Sequence, residues 1–267
     1  MSPDYDGPII DVHGHWGPWF FAMDIGSVEE NERLLDYYGI DLQIVSASEA
    51  VVYDAPGGNA RLDAVFAEHP RLRGYVVVNP NTPEVGRADA ERFLASDRWV
   101  GVKIHTTYPG RSIASPQMRD TFDMLEALHA VVLVHTWGPD VLDLAALVAD
   151  RPHVTAIAAH AGATSWDGAI EAAGLTDRLY LELSCSITDL ARVLRITEQV
   201  DHRRLLLGTD ATLIDPAVAI GLYQSADLSA ESRELIFWRN AAELFGLDPR
   251  AGENGRDHRN PSAVKEQ

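Results

Sequence analysis

Cysteine and lysine are nearly missing from this chain. Among 267 residues there is one cysteine, Cys185, and there are two lysines, Lys103 and Lys265. A single thiol excludes an intramolecular disulfide framework. Residues 1–7 are polar and acidic and show no charged-then-apolar leader, so the expected compartment is the reducing cytoplasm. Positive charge is scarce as well. Lys and Arg total 22 against 40 Asp and Glu, a formal net charge of −18, which repels polyanions and argues against nucleic acid or an anionic membrane as partner. The acidic surplus reads either as a solvated surface or as an acidic binding face, and the first reading is preferred. No apolar stretch approaches the roughly 20 residues needed to span a bilayer. A small-molecule substrate is the partner that these absences leave open.

What is present is an alternation. The chain is 46% hydrophobic, enough to bury a large core, and its length fits one α/β barrel or two small domains. Short β-branched apolar runs at 9–12, 42–46, 72–78, 100–104, 131–134, 154–159, 179–183 and 205–208 alternate with amphipathic stretches. Eight strands with eight intervening helices predict a single (β/α)8 TIM barrel. Ser27 with Glu30 predicts a capping box before a helix over 32–38, which Gly39 stops; Ser115 and Pro116 open another helix. Residues 229–245 read as a C-terminal closing helix ended by Gly246. No repeat or low-complexity linker divides the chain, so the expected domain is 1–247. The tail 248–267, rich in charge, Gly, Asn and Pro, is expected to be flexible.

The pair His13 and His15 at the end of the first run is the sharpest local signal. Residues two apart on a strand face the same way, so both imidazoles of Asp11-Val12-His13-Gly14-His15 can meet one cation. Taken alone, such a pair is equally well a hydrogen-bonded scaffold. Three more histidines change the balance: His105 follows the fourth predicted strand, His135 the fifth and His160 the sixth, while Asp210 follows the eighth. In a β/α barrel those strand ends ring one mouth, where active sites sit. The other five, His69, His129, His153, His202 and His258, fall on helix ends or loops. Imidazoles with a carboxylate suit a zinc-like ion that leaves one position open for an activated water. Asp210 is then placed to shuttle the proton from that water to the leaving group.

The chain resembles the amidohydrolase superfamily, and within it the small metal-dependent hydrolases and decarboxylases whose first strand carries Asp-x-His-x-His. The resemblance runs from about Ile9 to Leu247 and rests on Ile10-Asp11-Val12-His13-Gly14-His15, Gly101-Val102-Lys103-Ile104-His105, Val132-Leu133-Val134-His135-Thr136, Ala159-His160-Ala161-Gly162, Leu207-Gly208-Thr209-Asp210 and Asn240-Ala241-Ala242-Glu243-Leu244-Phe245-Gly246-Leu247. It implies that His13, His15, His135 and Asp210 hold a divalent metal, Zn2+ first, with Mn2+ and Fe2+ as alternatives. His160 is implied as a ligand of a second ion or a catalytic side chain.

Lys103 decides the number of ions on that reading. Twenty arginines do the other basic work, so a lysine inside the apolar fourth strand invites three readings. It is a buried amine paired with a carboxylate, a carboxylated lysine bridging two metals as in some relatives, or a Schiff-base nucleophile. His105, on the same face, is a candidate substrate contact or a structural hydrogen-bond partner. Of six tryptophans, Trp16, Trp19, Trp137 and Trp166 are expected in loops at the mouth. Trp16 and Trp137 are read as pocket wall, and Trp19 as either pocket wall or a lid or subunit contact. Arg111 is a candidate for a substrate carboxylate or a plain surface ion pair. Exposed aromatics at Trp19 and Tyr37-Tyr38 make a homodimer a further expectation.

Three functions compete. A metal-dependent hydrolase of an amide, lactone or ester of a small apolar or aromatic molecule comes first. A non-oxidative decarboxylase of an aromatic or unsaturated acid is the alternative, and a binding barrel without chemistry is the third. Asp210 is followed by Ala211-Thr212-Leu213-Ile214-Asp215-Pro216, whereas decarboxylase-type relatives usually place an aromatic and a proline at once. That departure, with short loops that leave little inserted structure, favours the hydrolase.

Overall fold

The Val- and Ile-rich runs form strands because side chains stiff at χ1 pack best on a pleated surface. The computed structural model describes residues 5–22, 26–66, 68–184, 186 and 189–249. In it eight parallel strands, β1 (Ile10–Trp16), β2 (Leu42–Ala47), β3 (Leu72–Val77), β4 (Trp99–Ile104), β5 (Val131–His135), β6 (Thr155–Ala159), β7 (Leu179–Glu182) and β8 (Leu205–Leu206), pair in chain order. Helices lie between them, as the barrel reading expects. The last strand is only two residues long, yet the chain after it runs on beside β1. Val12 donates its N–H to Leu207 O at 2.9 Å, Asp210 donates to His13 O at 2.7 Å, and Gly14 bridges to Ala211. These bonds bring the strand ends that carry His13 and Asp210 together.

Two apolar layers follow from strand alternation. One packs the outer strand faces (Val45, Val76, Val102, Val134, Ala158, Leu181) against the helices. The other fills the barrel with Ile10, Val12, Ile44, Tyr75, Leu133 and Ile157 and meets Ala241 and Phe245 of the C-terminal helix. That closing segment has three parts: helix Ala230–Glu234, one wide turn at Leu235–Arg239, and helix Asn240–Phe245. Ser229 Oγ caps its start, and Gly246, at φ 64, ends it in the left-handed conformation that glycine adopts without strain. Asn240 Nδ2 donates to His202 O and Leu205 O and so ties the segment to β8.

One irregularity matters for function. Along β1, Asp11 pairs with Gln43 but Gly14 with Val45, so β1 carries one residue more than β2 over that interval. Ile10 and Val12 join the barrel's inner apolar layer, and the extra residue turns His13 and His15 inward as well.

Several expectations need correction. Trp16 is the last residue of β1, not a loop residue, and the eighth strand stops at Leu206 instead of Gly208. The first helix is Val28–Tyr38, and its capping box does not form: Ser27 makes no side-chain cap, its hydroxyl bonding instead to the Glu29 carboxylate. Gly39 does end that helix at φ 66, and Ser115 Oγ accepts from Met118 N with Pro116 in the first turn. No helix among the described residues is long and apolar enough to cross a membrane. Of the expected flexible tail, residues 250–267, with His258 and Lys265, lie outside the described residues, as does Cys185.

Candidate metal centre

Five histidines and Asp210 converge at the C-terminal mouth of the barrel on a cavity of about 620 Å³. His13, His15, Lys103, His160 and Asp210 are buried at its floor. Trp19, Tyr108, Trp137, Leu213 and Ile214 contribute apolar wall, with His105, His135, Thr107 and Ser186 between. Among these lining residues Lys103 is the one side chain that is cationic in water at neutral pH, and no arginine is present.

Each floor imidazole is held from behind by one nitrogen and presents the other. His13 Nδ1 lies 2.8 Å from Glu182 Oε1, His15 Nδ1 lies 3.2 Å from Ser46 Oγ, and His160 Nδ1 donates to Ser184 O at 2.6 Å. The Nε2 atoms lie on the opposite side of each ring. Asp210 Oδ1 stands 3.0 Å from His15 Nε2 and 3.6 Å from His13 Nε2. His13, His15 and Asp210 together offer three donor atoms mutually within 4.8 Å. Two neutral imidazoles and a carboxylate, oriented by outer hydrogen bonds, are the donor chemistry that a divalent ion requires. A second set, His13, His160 and Glu182, satisfies the same spacing. Its atoms lie behind the rings, where Glu182 Oε1 also accepts the His160 N–H. We read it as the support of the first set.

His135 stands apart from both sets. Its Nδ1 faces His160 Nε2 at 3.1 Å, and its ring stacks on His105 with centroids 3.9 Å apart. His105 Nδ1 in turn accepts from Thr107 N, a bond within its own loop, and its ring lines the cavity. Lys103 Nζ lies 2.8 Å from His13 Nε2. The charges of Asp210 and Glu182 both act on the Lys103 amine.

Burial dominates the electrostatics of the floor. It pushes His13 well below the ordinary imidazole range, with Lys103 adding to the effect, and it lowers His15 and His135 too. His105 falls to about 2 for the same reason. Lys103 is lowered to about 8 by burial, against the pull of Asp210 and Glu182. Burial alone would raise Asp210, but the imidazoles of His13, His15 and His160 facing it outweigh that and hold it below the usual carboxylate range. His13, His15 and His135 are therefore neutral at physiological pH and Asp210 is an anion, the states that would suit a bound cation.

Two acids were missed as site residues from sequence. Asp11 is fully buried and accepts from His13 N, Thr209 N, Thr209 Oγ and Gln43 Nε2, which ties β1 to β2 and to the loop that carries Asp210. Burial pushes it up to about 7 against those donors. Glu182, also fully buried, ends β7. Its signal was legible: an acid alternating with leucines in Leu179-Tyr180-Leu181-Glu182-Leu183 needs a buried partner.

Two proposed contacts are not at the cavity. Trp16 follows His15 on the same strand, so its side chain points the other way and packs on the outer apolar layer. Arg111 donates from Nε to Asn81 Oδ1 in an exposed loop and does not line the cavity. Trp166 begins helix Trp166–Leu175 and packs outside as well. Trp137 does line the mouth, parallel to His135 at 6.0 Å, and Trp19 lies over His15 at 4.9 Å. The remaining described histidines serve elsewhere: His69 meets Glu32, His129 stacks on His153, and His202 bridges Ser232 and Thr197.

Comparison with known proteins agrees with this architecture. A dihydroxybenzoic acid decarboxylase from a Polaromonas species, solved with manganese and the inhibitor 2-nitroresorcinol, superposes with a TM-score of 0.74 at 17% identity, covering 90% of this chain and 97% of that one. The 5-carboxyvanillate decarboxylase of Sphingomonas paucimobilis superposes at 0.72 and 14% identity, covering 90% and 99%. A probable 2-pyrone-4,6-dicarboxylic acid hydrolase from Acinetobacter baumannii gives 0.68 at 17%, with 90% and 99% covered. These likenesses concern the fold. A search of the curated proteins finds no match. The family model described as amidohydrolase matches residues 10–247, and the chain belongs to that family.

Proposed function

We propose that the protein is a metal-dependent hydrolase that cleaves an amide, lactone or ester bond of a small aromatic or apolar molecule. The observation that carries this reading is the floor: His13 Nε2, His15 Nε2 and Asp210 Oδ1 meet beneath a cavity walled by Trp19, Tyr108, Trp137, Leu213 and Ile214. A divalent ion bound there, Zn2+ by the preference of nitrogen donors, with Mn2+ and Fe2+ as alternatives, would polarise the scissile carbonyl and activate a water. His135, beside His160, is within the ring that would complete its hold. Asp210 is placed to accept the proton of the attacking water and return it to the leaving group, and His160, whose Nδ1–H is committed to Ser184 O, presents Nε2 beside it as an acceptor. The aromatic walls exclude water and orient a planar substrate.

The lack of arginine among the lining residues supports a neutral substrate or one with a single acidic group. A dicarboxylate would leave an anionic group without a fixed cationic partner. The decarboxylase reading stays second, supported by the fold likeness to two aromatic-acid decarboxylases. Metal-loaded protein should be screened against aryl lactones, esters and amides and against hydroxybenzoates, in water enriched in oxygen-18. Label in the product carboxylate is the expected result. Carbon dioxide released with no label incorporated would assign the lyase instead.

A further inference from the structure

Glu182 does not line the cavity, yet it joins β1, the residue after β6 and the segment after β7. Its Oε1 faces His13 Nδ1 at 2.8 Å and accepts the backbone N–H of His160 at 2.8 Å; its Oε2 accepts the N–H of Ser184 at 2.8 Å. A Cβ at Gly208 would stand 2.3 Å from Oε2, so only glycine at that position leaves the carboxylate room. His160 itself sits at φ 66, a conformation costly for a side-chain-bearing residue. It is held from both ends, its N–H by Glu182 and its carbonyl by Arg192, which also donates to Leu183 O.

We infer that Glu182 is the positioning residue that selects the Nδ1–H tautomer of His13 and thereby keeps the Nε2 lone pair aimed at the cavity. Both Glu182 oxygens act as acceptors, Oε1 from the His160 N–H and Oε2 from the Ser184 N–H, so the short contact with Nδ1 assigns that nitrogen as the donor. Nε2 is then an acceptor, consistent with Lys103 Nζ at 2.8 Å from it. A glutamine cannot do the same work. With its amide nitrogen toward His13 it meets the His160 N–H donor to donor, and with it reversed it meets the Ser184 N–H. In either orientation one backbone N–H loses its acceptor, and the acceptor left to His13 Nδ1 is at best a neutral amide oxygen, so the preference for Nδ1–H is weakened.

The part of this inference that concerns metal affinity rests on the proposed metal centre, so the test reads the tautomer separately. In full-length protein labelled with 15N-histidine and freed of metal, His13 is expected to carry its proton on Nδ1 in the wild type and in Glu182→Asp, and to populate both tautomers in Glu182→Gln. Zinc affinity, measured by chelator competition, is expected to fall about 10- to 100-fold in Glu182→Gln and to recover partly in Glu182→Asp. A wild-type spectrum with the proton on Nε2 overturns the inference with no variant needed. So does a folded Glu182→Gln protein that keeps the Nδ1–H tautomer and wild-type zinc affinity. If the wild type binds no zinc, the metal reading fails while the tautomer still decides the role of Glu182.

Discussion

At His13 and His15 the imidazoles are almost wholly cut off from water, and burial lowers the pKa of both below the ordinary value of 6.5. The unfolded chain therefore binds protons that the folded chain refuses. That stabilisation is complete above about pH 6.5 and is lost as pH falls below it. The urea midpoint of metal-free protein is expected to drop between about pH 7 and about pH 5.5, and a His13→Gln variant to show a shallower drop. Lys103 is the second residue with a sharp expectation. Its amine lies 2.8 Å from His13 Nε2 and would compete with an ion at the proposed centre for that lone pair. Lys103→Met is thus expected to bind zinc at least as tightly as the wild type by chelator competition, while kcat falls about 10²-fold or more through loss of a polar group at the reacting centre. Weakened zinc binding in that variant would mean that Lys103 is itself part of the metal's hold, as a carboxylated lysine would be.

Among elements, β1 does the most for the site. A regular strand with Ile10 and Val12 inside the barrel would put His13 and His15 on the outside, and the one extra residue between Asp11 and Gly14 reverses that. The loop after β8 completes the arrangement. Asp210 sits at φ 61, an unusual conformation for aspartate, and its N–H is bonded to His13 O. Helices contribute support, and their ends were the more readable part. Ser115 Oγ accepts from Met118 N ahead of helix Pro116–Ala127. Ser115→Ala is expected to cost about 1 kcal/mol in denaturant unfolding, with no effect on KM. Ser27 teaches the opposite lesson: the same sequence signal fails where a neighbouring carboxylate, Glu29, competes for the hydroxyl.

For the molecule as a whole, an ion bound at the proposed centre would support the fold. The donors come from β1 and from the loop after β8, which the barrel closure brings side by side. An ion that binds only the folded chain is expected to add about 2.7 kcal/mol at a free concentration about 100-fold above its Kd, a Tm rise of about 5–10 °C for a domain of this size. A chelator should reverse that rise and abolish turnover together. The strand count, the parallel barrel and the histidines near strand ends were all legible in the chain, because hydrophobic alternation and terminal residues are local properties. So was the closing helix. The partnership of His13 with Glu182, 169 residues apart, was not, nor were the inward turn of β1 and the displacement of Trp16 and Arg111 from the cavity. Local periodicity says which residues share a face, but which face lines the barrel depends on strand register, and register is set only when the first and last strands meet.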